Sequence, residues 1–178
     1  EFAILDSEDQ YRVIKRVSKS MGLDDTKWPP RQIQWFINKQ KDECRRSKDV
    51  ETSDDYFAEK MNEVYRAYEE LCERESLVDF GELLLRTYLL LKSNKGVLDH
   101  YQQRFRHILV DEFQDTNEVQ YQFLRLLCES DSHIMSVGDD DQSIYGWRGA
   151  KSENINRFTK DYKNTEIIRL EQNYRSTS

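Results

Sequence analysis

The feature that most constrains the fold is a short apolar run that ends in two acids, Ile108-Leu109-Val110-Asp111-Glu112. Three consecutive apolar residues are typical of an inner strand of a parallel sheet, because such a strand is buried on both faces. Ligands of open α/β sheets bind at the carboxyl ends of the strands, so the two acids stand at a position suited to a site. One carboxylate there can hold Mg²⁺ while its neighbour activates a water molecule, although a solvated strand end is the alternative interpretation.

A second stretch of this kind follows, in which the strand-forming residues 134–137 lead into a glycine and three aspartates at 139–141. The aspartates do not fit a calcium loop of the EF-hand type, because Ile144 and Ala150 occupy the positions that need Gly and Glu. The loop that follows carries two aromatic rings and an arginine. The rings either stack on unpaired bases, with the arginine contacting phosphate, or fold back into the core. These loop residues are Tyr145, Trp147 and Arg148.

Three long segments closely resemble, in order, the second, third and fourth motifs of UvrD/Rep/PcrA-type superfamily 1 DNA helicases. They are Val-Asp-Glu-Phe-Gln-Asp-Thr-Asn at 110–117, the loop at 137–150, and Leu-Glu-Gln-Asn-Tyr-Arg-Ser-Thr at 170–177. The resemblance is closest to the UvrD branch and continues through segments 4–10, 28–32 and 77–80. It covers nearly the whole chain, whereas the chain covers only part of such an enzyme.

The residues and the resemblance together predict an α/β protein in two parts. Residues 1–104 show helical periodicity, and the resemblance makes them a helical insertion subdomain that contacts duplex DNA in the family. From His107 onward strands alternate with helices. The resemblance makes residues 105–178 the C-terminal half of the first RecA-like ATPase domain, part of a parallel-sheet P-loop NTPase core. Strands are predicted at 108–111, 134–137 and 167–170.

Capping residues and apolar spacing place the helices. Ser7 is predicted to cap the first helix, Gly22 to end it, and Pro30 to occupy the first turn of the second. Further helices are predicted over 54–74, after a cap at Asp79, over 97–105, from Asp115 or Thr116, and over 152–162. The polar segment 39–53 is predicted to be a helix end and a loop. Its charges form either a solvated face, the commoner outcome, or a patch that grips phosphate.

The resemblance also implies roles for single residues. It assigns Mg²⁺ to Asp111 and activation of the attacking water to Glu112, while Asp115 is either a helix cap or catalytic. The remaining implied roles fall on the later motifs: Gln142 at the γ-phosphate region, Arg175 on the transferring phosphoryl group, Tyr174 near the adenine, and Tyr145, Trp147 and Arg148 on single-stranded DNA.

One part of such a motor is absent from the sequence. A G-x-x-x-x-G-K-[ST] loop is needed to cradle phosphates, and none of the six glycines is followed by lysine. The family places that loop upstream of residue 1. The resemblance therefore implies a piece of an ATP- and Mg²⁺-dependent 3′–5′ helicase that acts on single strands and duplex junctions in DNA repair or replication. The piece alone is predicted to bind ATP weakly and to be inactive. A start without Met is typical of an excised piece, although processing gives the same start.

The composition limits the classes of ligand and partner that are expected for this chain. A net charge of −7 predicts weak non-specific affinity for nucleic acid, so contacts with DNA must be local. Cys44, Cys72 and Cys128 lack metal-ligand spacing, which predicts reduced thiols and no zinc site. No apolar run approaches the ~20 residues of a membrane span. The expected location is the bacterial cytoplasm, at the nucleoid, and repair proteins are candidate partners.

Two other functions fit the same residues. The chain could be a non-catalytic module that binds DNA or protein, which predicts measurable DNA affinity without turnover. It could also be a metal-dependent nuclease that uses Asp111, Glu112 and the aspartates at 139–141. That function predicts cleavage of DNA in Mg²⁺ or Mn²⁺ without any nucleotide.

Overall fold

The computed structural model describes residues 2–51, 55–128, 132–139, 153–162 and 164–170, with the backbone alone at Glu153 and Ile155. Helices dominate these ranges, and four short strands lie between them. The helices are α1 Ser7–Ser20, α2 Pro30–Asp42, α3 Tyr56–Arg74, α4 Phe80–Ser93, α5 Lys95–Arg104, α6 Glu118–Leu127 and α7 Glu153–Asp161. The strands are β1 Ala3–Leu5, β2 Leu77–Asp79, β3 His107–Val110 and β4 His133–Ser136, and 3₁₀ turns lie at Ser47–Asp49 and Phe113–Asp115.

Local hydrogen bonds set both ends of helix α1. Asp6 rather than the predicted Ser7 caps it, because the Asp6 carboxylate accepts two backbone N–H groups of the first turn. The predicted end at Gly22 is confirmed. Gly22 has a φ of 69°, and the N–H of Leu23 donates to the carbonyl of Ser18 at 3.0 Å, as in a Schellman motif.

Helices α1, α2 and α3 pack around the main apolar core. Ile33 and Ile37 of α2 are fully buried, and Trp35 beside them is largely exposed. Pro30 occupies the first turn of α2, as predicted. The core is completed from α1 and α3 by Ile14, Val17, Met61, Val64, Tyr65 and Tyr68. Removal of these apolar side chains from water is the main stabilising contribution in this part.

A short parallel sheet that the sequence did not predict joins the start of the helical part to the segment between α3 and α4. Strand β1 pairs with β2, with Ile4 opposite Val78. Each strand has three residues, which is too short to show a period-two pattern. The pair leads into α4, whose predicted cap is confirmed, since the carboxylate of Asp79 accepts the N–H of Glu82 at 2.7 Å.

The second parallel pair confirms two of the three strands predicted after residue 107. The predicted burial of β3 on both faces is wrong, because β3 pairs only with β4 among the described residues and Leu109 is 77% exposed. Strands β3 and β4 align Val110 with Ser136, one residue before the predicted bounds. The third predicted strand, 167–170, is wrong, because these residues pair with no strand in the described part of the chain. Leu170 is 87% exposed. The α/β class is confirmed, and the assignment of residues 105–178 to a RecA-like core stays a prediction.

Helix α6 packs on both parts of the chain. Its Val119 forms a buried cluster with Leu85 and Tyr88 of α4. Its Tyr121 packs instead with Phe113, which follows β3, and with Phe158 of α7. Helix α6 therefore ties the β3–β4 sheet to the helices that precede it, and a domain division between residues 104 and 105 stays a prediction.

Candidate functional site

The two acidic segments meet at the carboxyl edge of the β3–β4 sheet. Val137 donates its N–H to the carbonyl of Val110 at 2.8 Å, and Phe113 donates to the carbonyl of Val137 at 2.9 Å. Hydrogen bonds therefore cross between the segments beyond the last paired residues of the strands. Ligands of open α/β sheets bind at such an edge. The structure thus brings together the two stretches that were predicted to form one site.

Asp111 and Glu112 are exposed at this edge, and Glu112 has an uncommon backbone conformation. Its φ of 51° and ψ of 43° lie in the left-handed region, which residues other than glycine rarely occupy. Its N–H donates to Oδ1 of Asp111 at 2.9 Å. Strained backbone of this kind persists where neighbouring contacts hold it, and it concentrates at functional sites. The edge therefore presents two carboxylates to solvent on a firmly held turn.

The side chain of Gln114 connects Glu112 to the second acidic segment. It is 1% exposed. Its Nε2 donates to Oε2 of Glu112 at 2.6 Å, and its Oε1 accepts the N–H of Asp139 at 3.0 Å. No sequence pattern singled out Gln114, because glutamine in a turn is usually solvated and its partner Asp139 is 25 positions away.

Helix α6 begins later than predicted, at Glu118, and its cap is Asn117 rather than Asp115 or Thr116. Asn117 accepts the N–H of Gln120 at 3.0 Å, and the Gln120 side chain accepts the N–H of Asn117 at 2.9 Å. The helix-cap role considered for Asp115 is therefore wrong. Its Oδ1 is buried and has no hydrogen-bond partner among the described residues. A catalytic role for Asp115 stays a hypothesis.

Helix α7 supports the turn that follows the two acids. Asn154 is 1% exposed, and its amide donates to the carbonyl and the hydroxyl of Thr116 at 2.9 and 3.1 Å. The ring of Phe158 meets that of Phe113 edge-on, with centroids 5.3 Å apart. These contacts fix the chain on the C-terminal side of Glu112.

One side-chain hydrogen bond connects the helical part to the cap of α6. Nδ2 of Asn117 donates to Oδ1 of Asp42 at 2.8 Å. Burial raises the pKa of Asp42 to about 7, and the negative charges of Glu43 and Asp79 add to this shift. Asp42 therefore changes its charge near neutral pH, next to the residue that caps α6.

One charged residue of the polar segment 39–53, Lys41, is buried in the structure. The side chain of Lys41 is 2% exposed, and its Nζ lies 2.6 Å from Oδ2 of Asp79 and 3.1 Å from Oε2 of Glu82. Burial would raise the pKa of Glu82, but Lys41 and Arg46 outweigh it and lower that pKa to about 2. Both predicted alternatives, a solvated face and a phosphate grip, are therefore wrong for Lys41, and for the other charged residues of the segment they stay predictions. This ionic cluster comprises Lys41, Arg46, Glu69, Asp79, Glu82 and Arg86.

The carboxylates at the sheet edge fit a magnesium ion that is shared with a nucleotide. Mg²⁺ is usually held by one or two protein carboxylates, with waters and phosphates completing its shell. Asp111 offers an exposed carboxylate at that position. Within the described ranges, no group of three or more His, Cys, Asp or Glu is arranged to hold a metal. No helix in the same ranges is long and apolar enough to cross a membrane.

The other predicted site residues lie outside the residues that the structure describes. Their contacts with nucleotide and DNA therefore stay predictions. The described part of the site consists of the exposed acids, the buried glutamine behind them and the start of the second segment. The residues left outside are Gln142, Tyr145, Trp147, Arg148, Tyr174 and Arg175.

Comparison with known families accounts for both parts of this architecture. Residues 1–163 match the family model of the UvrD/REP helicase N-terminal domain. The chain belongs to this helicase family. The match includes the helical part, both acidic segments and α7, so the family resemblance carried by the motifs is confirmed.

Curated relatives of this helicase family member are bacterial DNA helicases. DNA helicase II of Escherichia coli K12 is 55% identical over 178 residues, which is 100% of this chain and 25% of the relative. DNA helicase II of Haemophilus influenzae is 53% identical over the same 178 residues, which is 24% of its length. ATP-dependent DNA helicase PcrA of Leuconostoc citreum is 43% identical over 177 residues, 99% of this chain and 24% of the relative. The chain spans about a quarter of the length of these relatives.

Proposed function

We propose that this chain forms part of an ATP-dependent 3′–5′ DNA helicase, which couples ATP hydrolysis to movement on single-stranded DNA and to unwinding. The observation that carries the proposal is the meeting of the two acidic segments at the carboxyl edge of β3 and β4. A nucleotide-driven motor needs its catalytic acids at such an edge. The names of the relatives, DNA helicase II and ATP-dependent DNA helicase PcrA, support the same function.

In this proposal the two acids divide the work of ATP hydrolysis. Asp111 holds Mg²⁺, and the bound ion neutralises charge on the nucleotide phosphates. Glu112 orients the attacking water and accepts its proton as the water oxygen bonds to the γ-phosphorus. The left-handed backbone of Glu112 supports this assignment, because strained backbone concentrates at functional sites and the side chain is exposed to solvent.

The residues outside the described ranges complete the proposed mechanism. Gln142 contacts the γ-phosphate region and transmits its state to DNA, while Arg175 stabilises charge on the transferring phosphoryl group. Tyr174 stacks near the adenine. Tyr145, Trp147 and Arg148 contact unpaired DNA, which suits a chain whose net charge of −7 leaves little non-specific attraction.

We extend the proposal to the surroundings of the site. Residues 1–104 form the helical insertion that contacts the duplex at the junction, and residues 105–178 form half of the first RecA-like domain. The protein works in the bacterial cytoplasm, on nucleoid DNA, with repair proteins as candidate partners. The 178 residues alone bind ATP weakly and do not hydrolyse it at a useful rate, because they lack the phosphate-cradling loop.

The test compares the complete product of the gene that encodes this chain with its Glu112→Gln variant. The wild-type protein should hydrolyse ATP in a DNA-stimulated reaction. Glu112→Gln should lower kcat at least about 100-fold while nucleotide binding is retained, because an amide cannot accept the proton. Glu59→Gln on the exposed side of α3 is the matched control and should leave kcat unchanged.

Three results would each contradict a different part of this proposal. Near-normal turnover by Glu112→Gln would remove Glu112 from the role of catalytic base. A complete gene product that binds DNA but never hydrolyses ATP would favour the non-catalytic module. Cleavage of DNA in Mg²⁺ or Mn²⁺ without nucleotide would favour the nuclease.

A further inference from the structure

A buried amide lies directly behind the proposed catalytic base. Gln114 is in the 3₁₀ turn Phe113–Asp115 and is 1% exposed. The amide uses both of its ends: Nε2 donates to the carboxylate of Glu112 at 2.6 Å, and Oε1 accepts the backbone N–H of Asp139 at 3.0 Å. A single side chain therefore joins the carboxylate to the start of the second acidic segment.

The second segment approaches this amide so closely that a Cβ at position 138 would press on it. A Cβ added to Gly138 would lie 2.7 Å from Oε1 of Gln114, closer than such atoms come in proteins, and 3.3 Å from the backbone nitrogen of Gln114. The amide is enclosed and engaged at both ends, so it has little room to move aside. A displacement of the segment at Gly138 must therefore displace the amide.

The Glu112 carboxylate, which accepts the hydrogen bond from Gln114, lies on a turn with a strained backbone conformation. Glu112 has a left-handed backbone, which costs about 1 kcal/mol or more in a residue with a side chain. The hydrogen bond from Phe113 to Val137 fixes the backbone on one side of the carboxylate. The amide of Gln114 fixes the carboxylate itself. Both contacts depend on the second segment, so the direction of the Glu112 carboxylate and the position of that segment are coupled.

We propose that Gln114 is a positioning residue for ATP hydrolysis, one that orients the Glu112 carboxylate toward the attacking water and couples that orientation to the segment beginning at Gly138. The proposal rests on the proposed role of Glu112. The segment is followed in sequence by Gln142 and the residues proposed to contact DNA, so a shift of the segment at Gly138 and Asp139 changes the direction of the Glu112 carboxylate. An amide is suited to this role, because it offers a donor to the carboxylate at one atom and an acceptor to the backbone N–H at another.

The test uses the complete gene product and two substitutions of Gln114. Gln114→Met keeps the volume and removes both hydrogen bonds. It should lower kcat about 10- to 100-fold, the effect of a misplaced catalytic group, while KM for ATP changes less than about twofold. Gln122→Met is the matched control, because Gln122 also donates an amide hydrogen bond to a glutamate, Glu118 at 2.8 Å, but does so on α6, away from the acids.

Gln114→Glu gives a readout that a merely structural role would not move. The new carboxylate would face that of Glu112, and two carboxylates at hydrogen-bond distance share one proton. The acid limb of the pH dependence of kcat should therefore move at least about one pH unit higher than in the wild-type protein. Gln114→Glu keeps the shape of the native side chain, so it still tests the positioning role if Gln114→Met fails to fold.

Each outcome has a definite meaning. A fall in kcat at constant KM, together with the shifted acid limb, supports the positioning role. A wild-type protein that hydrolyses ATP, with Gln114→Met near normal or Gln114→Glu unchanged in its pH profile, overturns that role and leaves the proposed function standing. An equal loss in Gln122→Met also overturns it. A wild-type protein without DNA-dependent ATP hydrolysis overturns both proposals.

Discussion

The ionic cluster and the acidic edge of the β3–β4 sheet are both rich in carboxylates, but their surroundings are opposite. Asp79 and Glu82 of the cluster are each 4% exposed and lie within 3.1 Å of the Lys41 ammonium. Asp111 and Glu112 at the edge are exposed to solvent. Carboxylates that are buried and paired stabilise a fold or specify its geometry, whereas carboxylates at an open sheet edge can bind a ligand. Position and burial, rather than charge, separate the two uses.

Hydrogen bonds sharpen the difference between the two regions. Besides Lys41, the carboxylate of Asp79 accepts from the hydroxyl of Tyr68 at 2.7 Å, from the amide of Gln10 at 3.1 Å and from the N–H of Glu82 at 2.7 Å. These contacts come from α1, α2, α3 and α4, so this one carboxylate connects all four helices. At the edge, by contrast, the contacts hold the carboxylates from behind and leave their solvent side open. The buried carboxylates are therefore held in place by several helices, whereas those of the edge are accessible to a ligand.

The largest effect is expected from breaking the ionic cluster. Lys41→Met leaves the buried Asp79 without its counter-charge, which should lower the free energy of unfolding by about 3–5 kcal/mol. Urea unfolding of the 178-residue chain measures the change. Lys15→Met is the control, because Lys15 pairs with Asp25 at 3.6 Å on the surface and should contribute less than about 1 kcal/mol. Equal losses in the two variants would show that the cluster is not a structural unit.

A smaller effect, on turnover instead of stability, is expected at the acidic edge. Gly138→Ala places a methyl group against the amide of Gln114 and should lower kcat of the complete gene product about 10-fold. Combined with Gln114→Met it should add little further loss, because both changes act through the same contact. Gly96→Ala in α5 is the control, since its new methyl group would meet Asn94 at an ordinary 3.6 Å. Fully additive losses would argue against a shared contact.

The smallest effect concerns Asp42, which lies between the two regions. Its folded-state pKa of about 7 is above the ordinary 3.8, so the folded chain binds more protons between these values than the unfolded chain does. The stabilising effect of the protonated form is complete below about pH 4 and is lost as the pH rises through 7. Asp42→Asn should therefore stabilise the chain at pH 8 relative to the wild type, by about 1–2 kcal/mol after allowance for solvent screening.

Urea unfolding of the Asp42→Asn variant at pH 5 and pH 8 checks this sign. The gain should be larger at pH 8 than at pH 5, because asparagine keeps an acceptor for Asn117 and carries no charge at either pH. Asp99→Asn on α5 is the control for a general effect of removing one negative charge. The same gain at both pH values would show that Asp42 does not titrate in this range.

Local signals were sufficient wherever the deciding interaction lies within one element or its adjacent turn. Gly22 ends α1 and Pro30 begins α2 through backbone preferences of their own positions. The apolar spacing of α3 predicted its buried face because the face repeats within one helix. The two strands that end in acids were predicted for the same reason, and their motifs also indicated the helicase family.

Apart from the cap of α1, which is Asp6 rather than Ser7, the errors involve residues whose partners are distant in sequence. Asn117 rather than Asp115 caps α6, and the same Asn117 side chain bonds to Asp42, 75 positions away. The strand predicted at 167–170 does not form, because a strand exists only beside a neighbour that accepts its hydrogen bonds. Propensity describes the segment itself and carries no information about that neighbour.

The sequence by itself determined the helices, the two acid-ended strands and the family. Only the tertiary structure decided that Lys41 is buried against Asp79, 38 positions away, and that Gln114 joins Glu112 to the second segment. The physical reason is that the free energy of a charged or polar side chain depends on what surrounds it. Those surroundings are assembled from distant segments, so the fold alone determines which carboxylates are paired inside and which face solvent at the sheet edge.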